Sequence, residues 1–141
     1  VKTILRLARE REELRVVADQ LGCPTYAGDI ADTLLALAGR GAEMDAKAMW
    51  DTGAGWGTYH YCGEPATTWH GFASAIIEKA RTYESLPVQT VTAIATADYP
   101  TSAARPANSV LDCTRLTAAF GIQPSSWQEG LAAMLFALYA S

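Results

Sequence analysis

A β-like run, Leu14-Arg15-Val16-Val17-Ala18, is followed by a stretch of helical period before the next β-like run, Thr58-Tyr59-His60-Tyr61-Cys62, and this order narrows the folds open to the chain. Strands separated by a helix pair in parallel through a right-handed crossover, which predicts an α/β architecture. A third run, Val88 to Ala95, alternates β-branched and apolar residues. Two or three short strands make a sheet with open edges, so the pattern implies that further strands lie elsewhere. The chain's 141 residues are enough for one hydrophobic core, and the whole reads as a single unit over 1–141.

Between the strands, helices are marked by period and punctuation. Val1, Ile4, Leu5 and Ala8 share one helical face from the first residue, with no N-cap ahead of them, as in a chain that starts inside an element. Asp19 to Thr25 is a loop punctuated by Gly22 and Pro24. Ile30, Ala31, Leu34, Leu35, Leu37 and Ala38 keep a helical period and predict a helix, stopped at Gly39 and Gly41. Ala42 to Asp51 is a short helix or a loop, with Met49 and Trp50 able to dock it. Thr67 or Thr68 caps a helix that buries Phe72, Ala73, Ile76, Ile77 and Ala80. Asp112 caps another that ends at Gly121, and Ser126-Trp127-Gln128-Glu129 reads as a capping box for the last.

Charge and cysteine usage exclude several functions. A formal net charge of -4 argues against a nucleic-acid partner, and the dense Arg6, Arg9 and Arg11 group is interleaved with acids as on a solvated helix face. Cys23, Cys62 and Cys113 have neither a disulfide-framework pattern nor zinc spacing. No signal peptide or membrane-length apolar run is visible, which makes the cytoplasm the expected compartment. The glycines of Gly53-Ala54-Gly55-Trp56-Gly57 precede a strand instead of following one, the wrong order for a dinucleotide loop. His60 and His70 have no nucleophile or carboxylate at triad spacing and read as structural. Tyr59, Tyr61, Trp56 and Trp69 read as core or rim aromatics that could also stack on a base or sugar.

The loop from Tyr99 to Asp112 carries Arg105 between Pro100 and Pro106. Proline restricts its own φ and the residue before it, so this guanidinium stands on stiff backbone. Its planar fork suits a diphosphate or a carboxylate, while the plain alternative is a surface ion pair. Gln20, Thr25 and Asn108 are neutral hydrogen-bonding residues in loops, able to read ligand hydroxyls or to serve their own turns.

Taken in order, Asp19-Gln20-x-Gly22-x-Pro24-Thr25, then Gly57-x-Tyr59-His60-x-x-Gly63 and Thr68-Trp69-His70-x-Phe72-Ala73, then Tyr99-Pro100-Thr101-x-Ala103-x-Arg105-Pro106-x-Asn108-Ser109-x-Leu111-Asp112, resemble the dTDP-4-dehydrorhamnose reductases. Lys2-Thr3-x-Leu5-Arg6-Leu7-Ala8 extends the resemblance to the start of the chain. These are extended short-chain dehydrogenases of about twice this length, and the chain is similar to their C-terminal half.

The resemblance implies a C-terminal substrate-binding portion whose strands complete a Rossmann sheet, the N-terminal NAD(P)-binding portion being absent from this chain. It implies reduction of dTDP-4-dehydro-L-rhamnose to dTDP-L-rhamnose with NADPH or NADH, for cell-surface polysaccharide. It places Arg105 and Asn108 at the dTDP-sugar and the Gln20 to Thr25 loop near the entrance, and assigns no catalytic, cofactor-binding or metal residue here. No tyrosine is followed four residues later by lysine, so the proton-donating pair of the family is missing, and this chain alone is expected to be inactive. Some members bridge a homodimer through Mg²⁺ and glutamates, but Gly28 stands in that region. The competing reading is a non-catalytic subunit, because the regulatory subunit of methionine adenosyltransferase is similar to the same reductases.

Overall fold

The computed structural model describes residues 1–43 and 57–140. The first helix, α1 (Lys2–Glu10), buries Leu5 and Ala8, the face its period predicts. Strand β1 (Glu13–Val17) follows, then a two-residue strand β2 (Leu21–Gly22) and the long helix α2 (Ala27–Glu43). After residue 57 come β3 (Thr67–Thr68), α3 (Trp69–Ala80), β4 (Thr90–Ile94), a 3₁₀ turn (Thr96–Asp98), α4 (Thr114–Phe120) and α5 (Trp127–Tyr139).

The parallel pair expected of an α/β chain is present, but its second member is β4. Leu14 stands opposite Val91 and Val16 opposite Ala93. Thr58 to Cys62 forms no strand, which corrects the expectation drawn from its composition. Side chains hold that segment in place of a ladder. The Tyr59 ring meets Phe120 edge-on at 5.0 Å, Arg115 lies 4.5 Å over the same ring, and the Tyr61 hydroxyl is 2.8 Å from Ser125 Oγ. β-propensity reports suitability for a half-buried surface, and here that surface belongs to α4 and the loop after it. A small antiparallel ladder, Leu21 opposite Thr68, adds a second sheet that the sequence pattern did not announce.

The core forms where α3 covers both strands of the parallel pair and meets α1 and α5. Leu5, Leu14, Ile76, Ile77, Val88, Trp127, Leu131 and Leu135 are all buried in one cluster. Thr68 caps α3 as expected, its hydroxyl accepting from the Gly71 N–H at 3.0 Å. Gly121, at φ +63°, closes α4 in the left-handed conformation that glycine adopts without strain.

Two helix boundaries and one cap depart from expectation. Gly39 and Gly41 do not end α2, which continues to Glu43. Glycine weakens a helix without obliging it to stop, and a stop needs the chain to turn left-handed there. The residue before α4 is Cys113, while the Asp112 carboxylate accepts from the Thr114 N–H at 2.9 Å, an Asx turn one step upstream of the cap. Ser126 precedes α5 but turns its hydroxyl to Gln128 Oε1 at 3.0 Å, so the capping box does not form. The apolar residues in period on α2 do not all face the core: Leu34 and Leu35 are 60% and 70% exposed, and Thr33 is buried. The expectations for Met49, Trp50 and the rest of 44–51, and for Gly53 to Trp56, lie outside the described residues.

Candidate functional site

The loops that leave the C-terminal ends of β1 and β4 meet at one end of the parallel pair, the position where open α/β sheets bind ligands. A cavity of about 500 Å³ opens there. Its floor is apolar, made by Phe72 of α3 with Trp127, Leu131 and Met134 of α5. Trp127 is 7% exposed and its indole N–H donates to the Pro65 carbonyl at 2.7 Å, so the ring is fixed as a wall. Phe72 meets it edge-on at 5.5 Å. Gly130 lets the wall close: a Cβ there would fall 2.5 Å from Tyr26 Cβ. Trp69, 56% exposed, stands at the rim.

Polar side chains reach this cavity from the Asp19 to Thr25 loop and also from Tyr26, Thr67, Thr68 and Ser109. Gln20 lines it and is 9% exposed. Its Nε2 donates to Thr96 Oγ1 at 3.1 Å. The Thr96 hydroxyl in turn donates to Asp19 Oδ1 at 2.6 Å, and the Thr96 N–H reaches both carboxylate oxygens at 2.9 Å. These bonds hold the Asp19 carboxyl below the usual carboxylate range, with the Thr96 hydroxyl the main cause. Thr25 also lines the cavity, its hydroxyl donating to the Cys23 carbonyl and accepting from the Gly63 N–H, both at 3.1 Å.

Arg105 and Asn108 are not part of this wall, although their neighbour Ser109 is. Asn108 Oδ1 accepts from the Val110 N–H at 2.9 Å, which is turn chemistry and leaves its amide NH₂ free of bonds to the described residues. The loop is tied to the cavity through backbone: the Leu21 N–H donates to the Ala107 carbonyl at 2.8 Å and the Ser109 N–H to the Leu21 carbonyl at 2.9 Å. Arg105 is exposed and has no hydrogen bond or ion pair among the described residues. The structure therefore groups Gln20 and Thr25 in one cavity, with Arg105 and Asn108 on the loop beside it.

The cysteines, scattered in sequence, converge. Cys62 and Cys113 are buried free thiols with Sγ atoms 3.7 Å apart, and Cys23, half-buried on the cavity wall, neighbours Cys62. Burial pushes the Cys62 and Cys113 thiols upward. His70 Nε2 lies 3.1 Å from the Val91 carbonyl, which can only accept, so this nitrogen carries the proton and links α3 to β4. His60 is exposed. Gly28 sits in the first turn of α2 with the Tyr26 ring against it, where no side chain fits without displacing the tyrosine. Among the described residues, no group of three or more His, Cys, Asp or Glu side chains could hold a metal ion, and no helix is long and apolar enough to cross a membrane.

Sequence reasoning missed Tyr26, Ser109 and Met134 as cavity residues. Tyr26 had a signal in Gly28 and Gly130, which leave room for a large neighbour. Met134 had none beyond its helical period.

Fold and site together define a ligand-binding α/β lobe built on a fragment of parallel sheet. The chain belongs to the RmlD substrate binding domain family, whose model matches residues 1–140. A dTDP-4-dehydrorhamnose reductase of Aggregatibacter actinomycetemcomitans is 50% identical over 134 residues, spanning 93% of this chain and 42% of that protein. The crystal structure of dTDP-4-dehydrorhamnose reductase from Bacillus anthracis in complex with NADP superposes with a TM-score of 0.78 at 32% identity, covering 96% of this chain and 42% of that one. The reductase of Clostridium acetobutylicum gives 0.80 at 28% identity, covering 97% and 42%. The chain thus spans less than half the length of these proteins. Their names favour the reductase reading over a regulatory subunit.

Proposed function

We propose that this chain is the C-terminal, substrate-binding portion of a reductase that converts dTDP-4-dehydro-L-rhamnose to dTDP-L-rhamnose, a cell-surface polysaccharide precursor. The observation that carries the reading is the family match over residues 1–140, which coincides with a largely apolar cavity at the C-terminal end of a parallel strand pair. In this reading the cavity and the adjoining loop grip the nucleotide sugar. Arg105 lies against the diphosphate, where a planar, permanently charged fork gives two parallel bonds. Asn108 offers its free amide NH₂ to the same ligand, Gln20 faces it from the cavity, and Thr25 shapes the wall.

The hydride is assigned to NADPH or NADH held by an N-terminal Rossmann portion that precedes this sequence. The described residues around the cavity do not fit a nicotinamide dinucleotide. Gly22 and Gly130, the glycines that line the cavity, have no open space beside them: a Cβ on Gly22 would fall 2.9 Å from Ser109 Oγ and one on Gly130 2.5 Å from Tyr26 Cβ, so neither forms a phosphate cradle. No step through the cofactor is therefore drawn from this chain. Its contribution is to bind and orient the sugar so that the carbonyl carbon lies in attack geometry. The assay is NADPH oxidation with dTDP-4-dehydro-L-rhamnose. Full-length protein is expected to turn over and residues 1–141 alone are not; turnover by the shorter chain would overturn the division of labour.

A further inference from the structure

The Asp19, Thr96 and Gln20 side chains form a directional relay, and the direction can be worked out from proton counting. A threonine hydroxyl has one proton to give. The 2.6 Å contact between Thr96 Oγ1 and Asp19 Oδ1 uses it, because an ionised carboxylate only accepts. Thr96 Oγ1 can then only accept from Gln20, which fixes the amide with Nε2 toward Thr96 at 3.1 Å. The opposite amide orientation would set two acceptors against each other. Gln20 Oε1 is left with no hydrogen bond to the described residues, on a side chain that is 9% exposed and lines the cavity. No side-chain nitrogen or oxygen is both fully buried and unbonded among the described residues, so this oxygen keeps access to the space beside it.

We infer that Thr96, itself oriented by Asp19, is a positioning residue that turns Gln20 Oε1 into a dedicated acceptor for a donor group of the ligand. The proposal rests on the nucleotide-sugar reading and refines it. Two donors on such a ligand have the required chemistry, the imide N–H of a thymine base and a sugar hydroxyl, whereas the diphosphate has only acceptors at neutral pH and is excluded as the partner. The relay also explains why an exposed aspartate is committed to a threonine 77 positions away: without it the threonine proton would be free to turn toward Gln20 and the amide could present either end.

The test compares wild-type, Thr96→Val and Thr96→Ser full-length proteins by calorimetric titration with dTDP and with dTDP-L-rhamnose, alongside the NMR signals of the Gln20 side-chain NH₂. Valine keeps the shape and removes the acceptor, so binding is expected to weaken about three- to tenfold, while serine stays near wild type. Weakening with both ligands assigns the nucleoside, through its imide or its deoxyribose 3′-hydroxyl; weakening with dTDP-L-rhamnose alone assigns a rhamnose hydroxyl. The Gln20 NH₂ protons are expected to exchange slowly in wild type and in Thr96→Ser and rapidly in Thr96→Val. Equal affinities of the valine and wild-type proteins for both ligands, or valine and serine proteins that weaken alike, would overturn the proposal. A wild-type protein that binds neither ligand would instead sink the nucleotide-sugar reading, and the NH₂ exchange would still decide whether Thr96 orients Gln20.

Discussion

At the residue scale, chemistry depends on which partner a side chain has already taken. Arg105 has none among the described residues, whereas Thr25 and one end of Asn108 are committed to their own loops. Arg105→Ala in the full-length protein is expected to raise KM for the dTDP-sugar about tenfold or more, with NADPH binding unchanged, because a charge-assisted contact to phosphate is lost. An unchanged KM would remove Arg105 from the site. The cysteines give a second prediction. Cys23 is the more accessible of the three, while Cys62 and Cys113 are buried with thiols pushed upward. Alkylation at neutral pH followed by peptide mapping is expected to label Cys23 first, since the thiolate is the reactive form. The loop positions of Arg105, Thr25 and Asn108 were legible in the sequence, whereas Cys62 was expected on a strand that does not form. The proximity of the cysteines was not legible: Cys62 and Cys113 are 51 positions apart and no local spacing rule brings them together.

At the scale of elements, the ends of α1, α3 and α5 are tied by one cluster. The Arg9 guanidinium grips Glu84 through Nη2 at 2.7 Å and Nε at 3.0 Å, the Tyr139 hydroxyl donates to the same carboxylate, and Tyr83 stacks on Tyr139 at 4.7 Å. The Arg9 hydrogen bond is the main reason that the Glu84 carboxyl titrates below the usual glutamate range. Because the folded value is the lower one, the cluster stabilises fully above the unfolded glutamate range and its contribution is lost as pH falls through the folded value. Glu84→Gln is expected to cost about 1 kcal/mol at pH 7 and progressively less in acid. Melting temperatures of both proteins across a pH series check this; a difference that stayed constant down to pH 3 would contradict it. Periodicity identified α1, α3 and α5 because their apolar faces meet one core. It also identified α2, yet Leu34 and Leu35 are exposed there, because a period shows that a face exists and not what lies against it.

For the whole molecule, the decisive feature is a parallel pair with β4 on one edge of β1 and no strand among the described residues on the other. If this is one portion of an extended sheet, β1 amides not bonded to β4 gain partners only in the full-length protein. Hydrogen exchange is expected to be slow at those amides in the full-length protein and fast in residues 1–141; equal rates would argue against a shared sheet. The sequence by itself determined the α/β class, the capped helix at Thr68 and the proline-bounded loop around Arg105, since each follows from local periodicity or from backbone restrictions at single residues. Tertiary structure alone decided that β1 pairs with β4 and not with Thr58 to Cys62, that three distant cysteines share a site, and that Asp19 and Thr96 orient Gln20. Those outcomes depend on contacts between segments up to 77 positions apart, whose geometry is fixed only when the core closes.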